Sequence, residues 1–267
     1  MSADQNDRPL VEFTSLAIAG AGIMTVSAAC GDATLVMLRP LVAIGWMLLA
    51  FGVVRSLSHL GRRDRAPLAW RGIGRSPLTH EILLAASLLA AGALMAASDE
   101  TTVMAAFIRP ATAILGVLFL LSIGRVYALG GQPAWQGVSA VAPLSTGLAF
   151  GAVMTASDGL PTVPPDVIYW LIGADALVFL ARAWRVSRVL RAARTAGRPA
   201  PDPMPLLVAR GLLLTVLPVA VLLFRPGLYA AIPAAFGIAI DRLGFYLLRA
   251  PQTTESEIAR AESKLKE

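Results

Sequence analysis

The sequence has few of the side chains on which redox centres are usually built. It contains one cysteine, Cys30, so we expect no iron–sulfur cluster on this chain. Its only histidines, His59 and His80, lie at the two ends of one connection between apolar runs. A haem held between helices by two histidines is therefore not expected. No glycine-rich nucleotide loop of the dinucleotide or P-loop kind is present either.

Charge is also scarce. Only 15% of the residues are charged and 56% are hydrophobic, whereas about a quarter of a soluble domain is charged. The apolar residues form runs of about twenty, the length that crosses a hydrocarbon core. We expect an all-α fold, an integral membrane bundle of about eight transmembrane helices. Residues 1–250 would form one transmembrane domain and residues 251–267 a polar tail. We place the spans near residues 11–29, 35–57, 78–97, 104–127, 138–156, 167–181, 204–224 and 228–248.

The arginines indicate how the bundle is oriented. Five lie in the connection 58–77 and six in the connection 182–203, whereas the connections at the other end are short and nearly free of bases. The positive-inside rule then predicts that both basic connections and both termini are cytoplasmic. The net charge of +6 is explained by this topology. It is not evidence for nucleic-acid binding.

Eight spans would bring several polar side chains to one rim of the bundle. Ionisable residues near lipid are costly and usually mark a site or a pathway. Each rim residue could also have a simpler role: the arginines and tyrosines as interfacial anchors, and the glutamate as an acid that is favourable at a helix start. The rim residues are His59, Glu81, Arg125, Tyr127, Arg242 and Tyr246.

A quinone headgroup would suit such a rim. Its reduction takes two electrons and two protons, and its apolar tail needs a slot between helices. Imidazole titrates near neutral pH, and a carboxyl group can exchange protons with water. We therefore predict that His59 and Glu81 are the catalytic pair. The electrons would have to come from a partner that holds the metals.

Four segments in a fixed order carry a resemblance to a known family. They are RPLVEFTSLAIAGAG, LSHLG with RAPLAWRGIGRSPLTHEIL, GRVYALGGQPAWQ and DRLGFY. Together they resemble the membrane anchor subunit of dimethyl sulfoxide reductase and its relatives. These relatives include the anchors of cytoplasm-facing molybdoenzymes that oxidise sulfite.

The resemblance implies a quinone-reactive subunit that is not catalytic alone. It would dock an iron–sulfur electron-transfer subunit and, through it, a molybdopterin catalytic subunit, in the bacterial inner membrane. Quinone or menaquinone would be an exchangeable substrate, and molybdenum would lie on another chain. The family ties quinol binding to the positions of His59 and Glu81. The predicted quinone site comprises these two residues with Arg65, Arg125, Tyr127 and Arg242.

Two alternatives remain open at the level of the sequence. The relatives either oxidise quinol or reduce quinone, and the terminal substrate, dimethyl sulfoxide or sulfite, is bound on another chain. A protein of a different class, a multi-pass transporter with no redox role, is the second alternative. Its path could be lined by Arg109, Asp175, Arg210 and Asp241.

Overall fold

The computed structural model describes residues 8–30, 34–59, 76–98, 103–127, 137–156, 163–195, 202–224 and 228–247. All regular secondary structure within these ranges is helical, which confirms the predicted all-α membrane bundle. The helices are α1 (Arg8–Ala29), α2 (Leu35–His59), α3 (Pro77–Ala97), α4 (Val103–Tyr127), α5 (Ala142–Thr155), α6 (Pro165–Thr195), α7 (Met204–Gly211), α8 (Leu217–Phe224) and α9 (Ala231–Leu247).

Six helical rods are long and apolar enough to cross a membrane. They are α1, α2, α3, α4, α6 and the continuous rod Met204–Phe224, in which a π-helical segment joins α7 to α8. The π-helix ends just before Pro218, whose missing N–H disturbs the regular hydrogen-bond ladder. Helices α5 and α9 are shorter, with 14 and 17 residues. Short 3-10 segments precede both, so the bundle is compatible with the expected eight spans.

Helix α6 is longer than the sequence predicted. We expected its span to end near residue 181 and the following arginines to lie in a connection. The helix instead continues to Thr195 and has 31 residues. Alanine, leucine and arginine are good helix formers, and after residue 181 the first helix breakers, Gly197 and Pro199, come only beyond the helix end. The arginine series up to Arg194 is therefore helical.

Helix α1 is the centre of the bundle. Every residue from Ala17 to Ala28 is buried, and α1 packs against α2, α4, α5 and α9. The close approach depends on glycines: a Cβ atom on Gly20 would collide with the backbone of Gly45 on α2. A Cβ on Gly22 would collide with the backbone of Gly147 on α5. Small residues at such contacts let helices pack tightly in lipid.

Contacts between helices show which ends lie together. The Arg39 guanidinium at the start of α2 donates to the carbonyl of Ser98 after α3, and the Trp46 indole donates to the carbonyl of Leu89. Helices α2 and α3 are therefore antiparallel. The Arg109 guanidinium near the start of α4 donates to the carbonyl at the end of α1.

The opposite ends meet in the same way. Leu10 and Val11 at the start of α1 pack against Val186 of α6 and against Phe245 and Tyr246 of α9. We call this part of the molecule, formed by the starts of α1, α3, α5 and α7 and the ends of α2, α4, α6 and α9, the basic end. Of the two arginine-rich segments identified in the sequence, the one at the end of α6 belongs to it as far as Thr195; residues 60–75, which hold the arginines of the other, lie outside the described residues.

Candidate functional site

Helix α3 places Glu81 one turn inside the basic end. Pro77 occupies the first helical position, where its missing N–H is not needed, and the backbone N–H of Thr79 donates to the carbonyl of Ser76. Glu81 follows two residues later and is only 3% exposed. His80 beside it is exposed. The carboxyl group therefore points into the bundle although it lies close to a helix end.

Glu81 begins the buried stripe of α3. The stripe follows spacings of four and three residues, the pattern of one helix face. Its members are Glu81, Ala85, Leu88, Gly92 and Met95. Further along the same face, Gly92 lies against Met24 of α1 and Trp46 of α2. The carboxyl group thus replaces an apolar side chain at the outermost position of an otherwise apolar, bundle-facing stripe.

The described surroundings leave one oxygen of this carboxyl group without a partner. The Oε1 atom of Glu81 is buried and finds no hydrogen-bond partner among the residues that the structure describes. An unsatisfied buried acceptor costs about 1–3 kcal/mol. An acid kept in such a position is available to a ligand that can donate a hydrogen bond.

The end of α2 lies at the same end of the bundle. His59 is the last residue of α2, one turn after Arg55. Arg55 forms an ion pair of 2.5 Å with Glu12 of α1, and both side chains are partly exposed. The backbone thus places His59 and Glu81 on adjacent, antiparallel helices at the basic end. The side chain of His59 lies outside the described residues.

The other predicted site residues are found in different settings. Arg125 is exposed in the last turn of α4. Tyr127 is the last residue of that helix, and its side chain lies outside the described part of the chain, as does the whole of Arg65. Arg242 is almost completely buried, with its Nη2 atom 2.5 Å from Oδ2 of Asp241. No contact of Arg242 with Glu81 is observed.

A second polar group, the ionic cluster, fills the space between α5, α6, α7 and α9. It consists of five buried charged residues: Asp175, Arg182, Arg210, Asp241 and Arg242. Asp175 accepts hydrogen bonds from Ser145 (2.9 Å), from Thr146 (2.8 Å) and from Nη2 of Arg210 (2.7 Å). Both of its carboxylate oxygens are thereby engaged.

Asp241 is the centre of the cluster. Its Oδ1 accepts from Nη1 of Arg182 at 2.7 Å, and its Oδ2 accepts from Nε of Arg242 at 3.1 Å. The Nε atom of Arg210 lies 3.6 Å from Oδ1. The guanidinium groups also stack on aromatic rings, Arg210 on Phe179 at 4.3 Å. Both aspartates of the cluster are thus paired with arginines from other helices, as expected of a charge group that holds helices together.

The family match decides between the two classes of protein left open above. The chain matches the family model described as DMSO reductase anchor subunit (DmsC) over residues 1–235. The chain belongs to the DMSO reductase anchor subunit family. Comparison with curated proteins gives no match. As an anchor it is a multi-pass membrane protein of a DMSO reductase-type complex, which implies a catalytic and an iron–sulfur partner subunit.

The sequence did not predict the pairing inside this anchor's ionic cluster. Asp175, Arg210 and Asp241 were assigned to the transporter alternative, and Arg182 to a connection. One signal could have revealed the buried face of α6, because its spacings of four and three residues continue through the charged positions. The face comprises Ile168, Ile172, Asp175, Phe179, Arg182 and Val186. Within the described ranges of the anchor, no group of three or more His, Cys, Asp or Glu side chains is arranged to hold a metal ion.

Proposed function

We propose that this anchor exchanges electrons and protons with the quinone pool at its basic end, between the end of α2 and the start of α3. The observation that supports this most is Glu81, a buried acid at a helix start whose Oε1 has no hydrogen-bond partner among the described residues. The family match supports the anchor role in general. The roles of His59 and Glu81 are part of the proposal.

The chemistry assigned to the two residues follows from their types. The imidazole of His59 would hydrogen-bond one carbonyl oxygen of the headgroup. The Glu81 carboxyl group would take up or release a proton as the headgroup is oxidised or reduced. Two electrons and two protons move per quinone, and the electrons pass to or from the iron–sulfur partner subunit. The apolar faces of α2 and α3 would hold the tail.

The remaining predicted residues are assigned supporting roles. Arg125 and Tyr127 end α4 at the basic end, and with Arg65 they would complete the headgroup site. Arg242, which is paired with Asp241, would act on the site only through the packing of α9. The basic connections would face the cytoplasm, and the iron–sulfur and molybdopterin subunits would then be cytoplasmic too. We propose the bacterial inner membrane as the location.

Two assays on the same purified complex test the proposal. One measures electron exchange with a quinone or quinol, and the other measures turnover of the catalytic subunit with a soluble dye. Glu81→Gln and His59→Ala should each reduce the quinone-linked rate at least a hundredfold and leave the dye-linked rate within twofold. His80→Ala, which changes an exposed neighbour of Glu81, is the control and should retain both rates. A parallel fall in both rates would mean an assembly defect, and an unchanged quinone-linked rate would refute the proposal.

A further inference from the structure

A cavity of about 200 Å³ opens beside the ionic cluster, between α6, α7 and α9. Two of the cluster's arginines, Arg182 and Arg210, line it together with Asp241. The rest of the wall is largely apolar and includes Val186, Leu206, Ile240 and Leu247. The cavity wall therefore combines these two guanidinium groups and this carboxylate with mostly apolar side chains.

The ionic cluster beside the cavity has more arginines than aspartates, three against two within the described residues. The cavity wall itself carries two of each, Arg182 and Arg210 with Asp202 and Asp241. Nη2 of Arg210 is engaged with Asp175. Its Nε, 3.6 Å from Oδ1 of Asp241, and its Nη1 are buried and make no hydrogen bond to any described residue. Arg210 as a whole is only 2% exposed. A buried guanidinium group with unused donors needs an acceptor.

One more acid lines the cavity but does not supply that acceptor. Asp202 is exposed and precedes the start of α7. Its Oδ1 accepts a hydrogen bond from the backbone N–H of Met204 at 3.1 Å. The carboxylate is thus occupied with the helix start, where it is favoured.

The depth of the cavity matches the headgroup layer of a membrane. About twenty residues of helix cross a hydrocarbon core. Counted from Pro165, this length of α6 ends near Trp184, an exposed aromatic residue of the kind found at membrane interfaces. Arg182 and the cavity therefore lie where hydrocarbon gives way to phosphate groups. The Cβ of Arg210 is tilted toward the start of α7, which is at the same end.

We propose that this cavity binds a phosphate group, held by the unused donors of Arg210 together with Arg182. Guanidinium groups match the geometry of phosphate oxygens. A phospholipid of the adjoining leaflet is one source of the phosphate, and inorganic phosphate is the other source of the same chemistry. The proposal does not depend on the quinone site at Glu81.

Gly244 provides a matched pair of variants, because it lines the cavity without belonging to the ionic cluster. A Cβ atom there would lie 3.7 Å from Leu206, an ordinary contact, so Gly244→Ala should be tolerated. Gly244→Leu should fill the cavity. Arg210→Lys is the second test variant, since it keeps the charge and removes the forked donor geometry.

The experiment uses the anchor purified with its partner subunits and detects bound lipid by native mass spectrometry. After incubation with vesicles of phosphatidylglycerol, the wild type and Gly244→Ala should retain one phospholipid per anchor. Gly244→Leu should retain at least tenfold less, and Arg210→Lys several-fold less.

Inorganic phosphate distinguishes the two sources. If the cavity takes a phospholipid, sodium phosphate at the ionic strength of a sodium chloride control should leave lipid retention unchanged. Displacement of the lipid by phosphate, in the wild type and Gly244→Ala only, would assign the cavity to free phosphate. Equal lipid retention and an equal phosphate response in Gly244→Ala, Gly244→Leu and Arg210→Lys would overturn the proposal.

Discussion

Two buried acids at the basic end of the bundle, Glu81 on α3 and Asp241 on α9, have opposite surroundings. Glu81 stands at the end of an apolar stripe, and its Oε1 has no hydrogen-bond partner among the described residues. Asp241 accepts hydrogen bonds from Arg182 and Arg242. Burial alone therefore does not distinguish the acid that we propose takes part in chemistry from one that is paired with arginines of other helices. The two acids differ in the number of hydrogen-bond donors that face the carboxyl group.

The energetic consequences of the two settings are opposite. Removing one partner of a buried carboxylate–arginine pair strongly destabilises the protein, because the remaining charge is buried without compensation. A buried carboxyl group without partners costs stability in the folded state. A site that is costly for the fold is more easily explained by function than by packing.

The largest effect is expected when the centre of the ionic cluster is removed. Asp241→Ala leaves Arg182 and Arg242 without their common acceptor, and breaking a buried pair of this kind costs about 3–5 kcal/mol. Little folded protein should survive extraction in detergent, as measured by size-exclusion chromatography and thermal unfolding. Asp166→Ala, at an exposed acid in the first turn of α6, is the control. If Asp241→Ala were as stable as Asp166→Ala, the cluster would not be structural.

A smaller loss of stability is expected when the packing of α1, the central helix of the bundle, is disturbed. Gly22→Ala forces a Cβ atom against the backbone of Gly147, and overpacking of this kind costs about 1–3 kcal/mol. Quinone-linked and dye-linked rates should fall together with the amount of assembled complex. Gly173→Ala is a matched control, because no atom lies within 4 Å of the added Cβ. A selective loss of the quinone-linked rate in Gly22→Ala would show that the site extends to the α1–α5 contact.

The smallest change in stability is expected at Glu81, and it is a gain. Glu81→Met places an apolar side chain of similar length at the outermost position of the α3 stripe. Removing the unsatisfied acceptor should stabilise the anchor by about 1 kcal/mol, which thermal unfolding in detergent can measure as a raised midpoint. The quinone-linked rate should be lost at the same time. A lowered midpoint would mean that Glu81 is paired in the folded protein, as Asp241 is.

Much of the bundle could be predicted because its signals are local. Runs of about twenty apolar residues mark the spans, and Ser76 with Pro77 marks the start of α3, so the position of Glu81 followed from the sequence. The end of α6 could not be predicted in this way, because the hydropathy falls at Arg182 while the helix continues. Arginine has a high helix propensity but a low hydropathy, so a pattern based on hydropathy ends the span too early.

The ionic cluster could not be predicted in the same way. Arg210 contacts Asp175 across 35 positions of the sequence, and Arg182 contacts Asp241 across 59. Such contacts depend on how four helices pack. The spacing of the α6 arginines also obscured the buried one, since a step of three residues rotates each side chain by about 60° relative to the last. Arg182 faces inward, whereas Arg188 and Arg191 are exposed.

Photo-crosslinking with an azido-quinone tests most directly where the quinone binds. The complex in native membranes would be labelled, digested and analysed by mass spectrometry, with excess unlabelled quinone as competitor. Our account predicts competable label on the peptides that contain the end of α2 and the first turns of α3, and its loss in Glu81→Gln. Competable label confined to α6, α7 and α9, with none near Glu81, would contradict it.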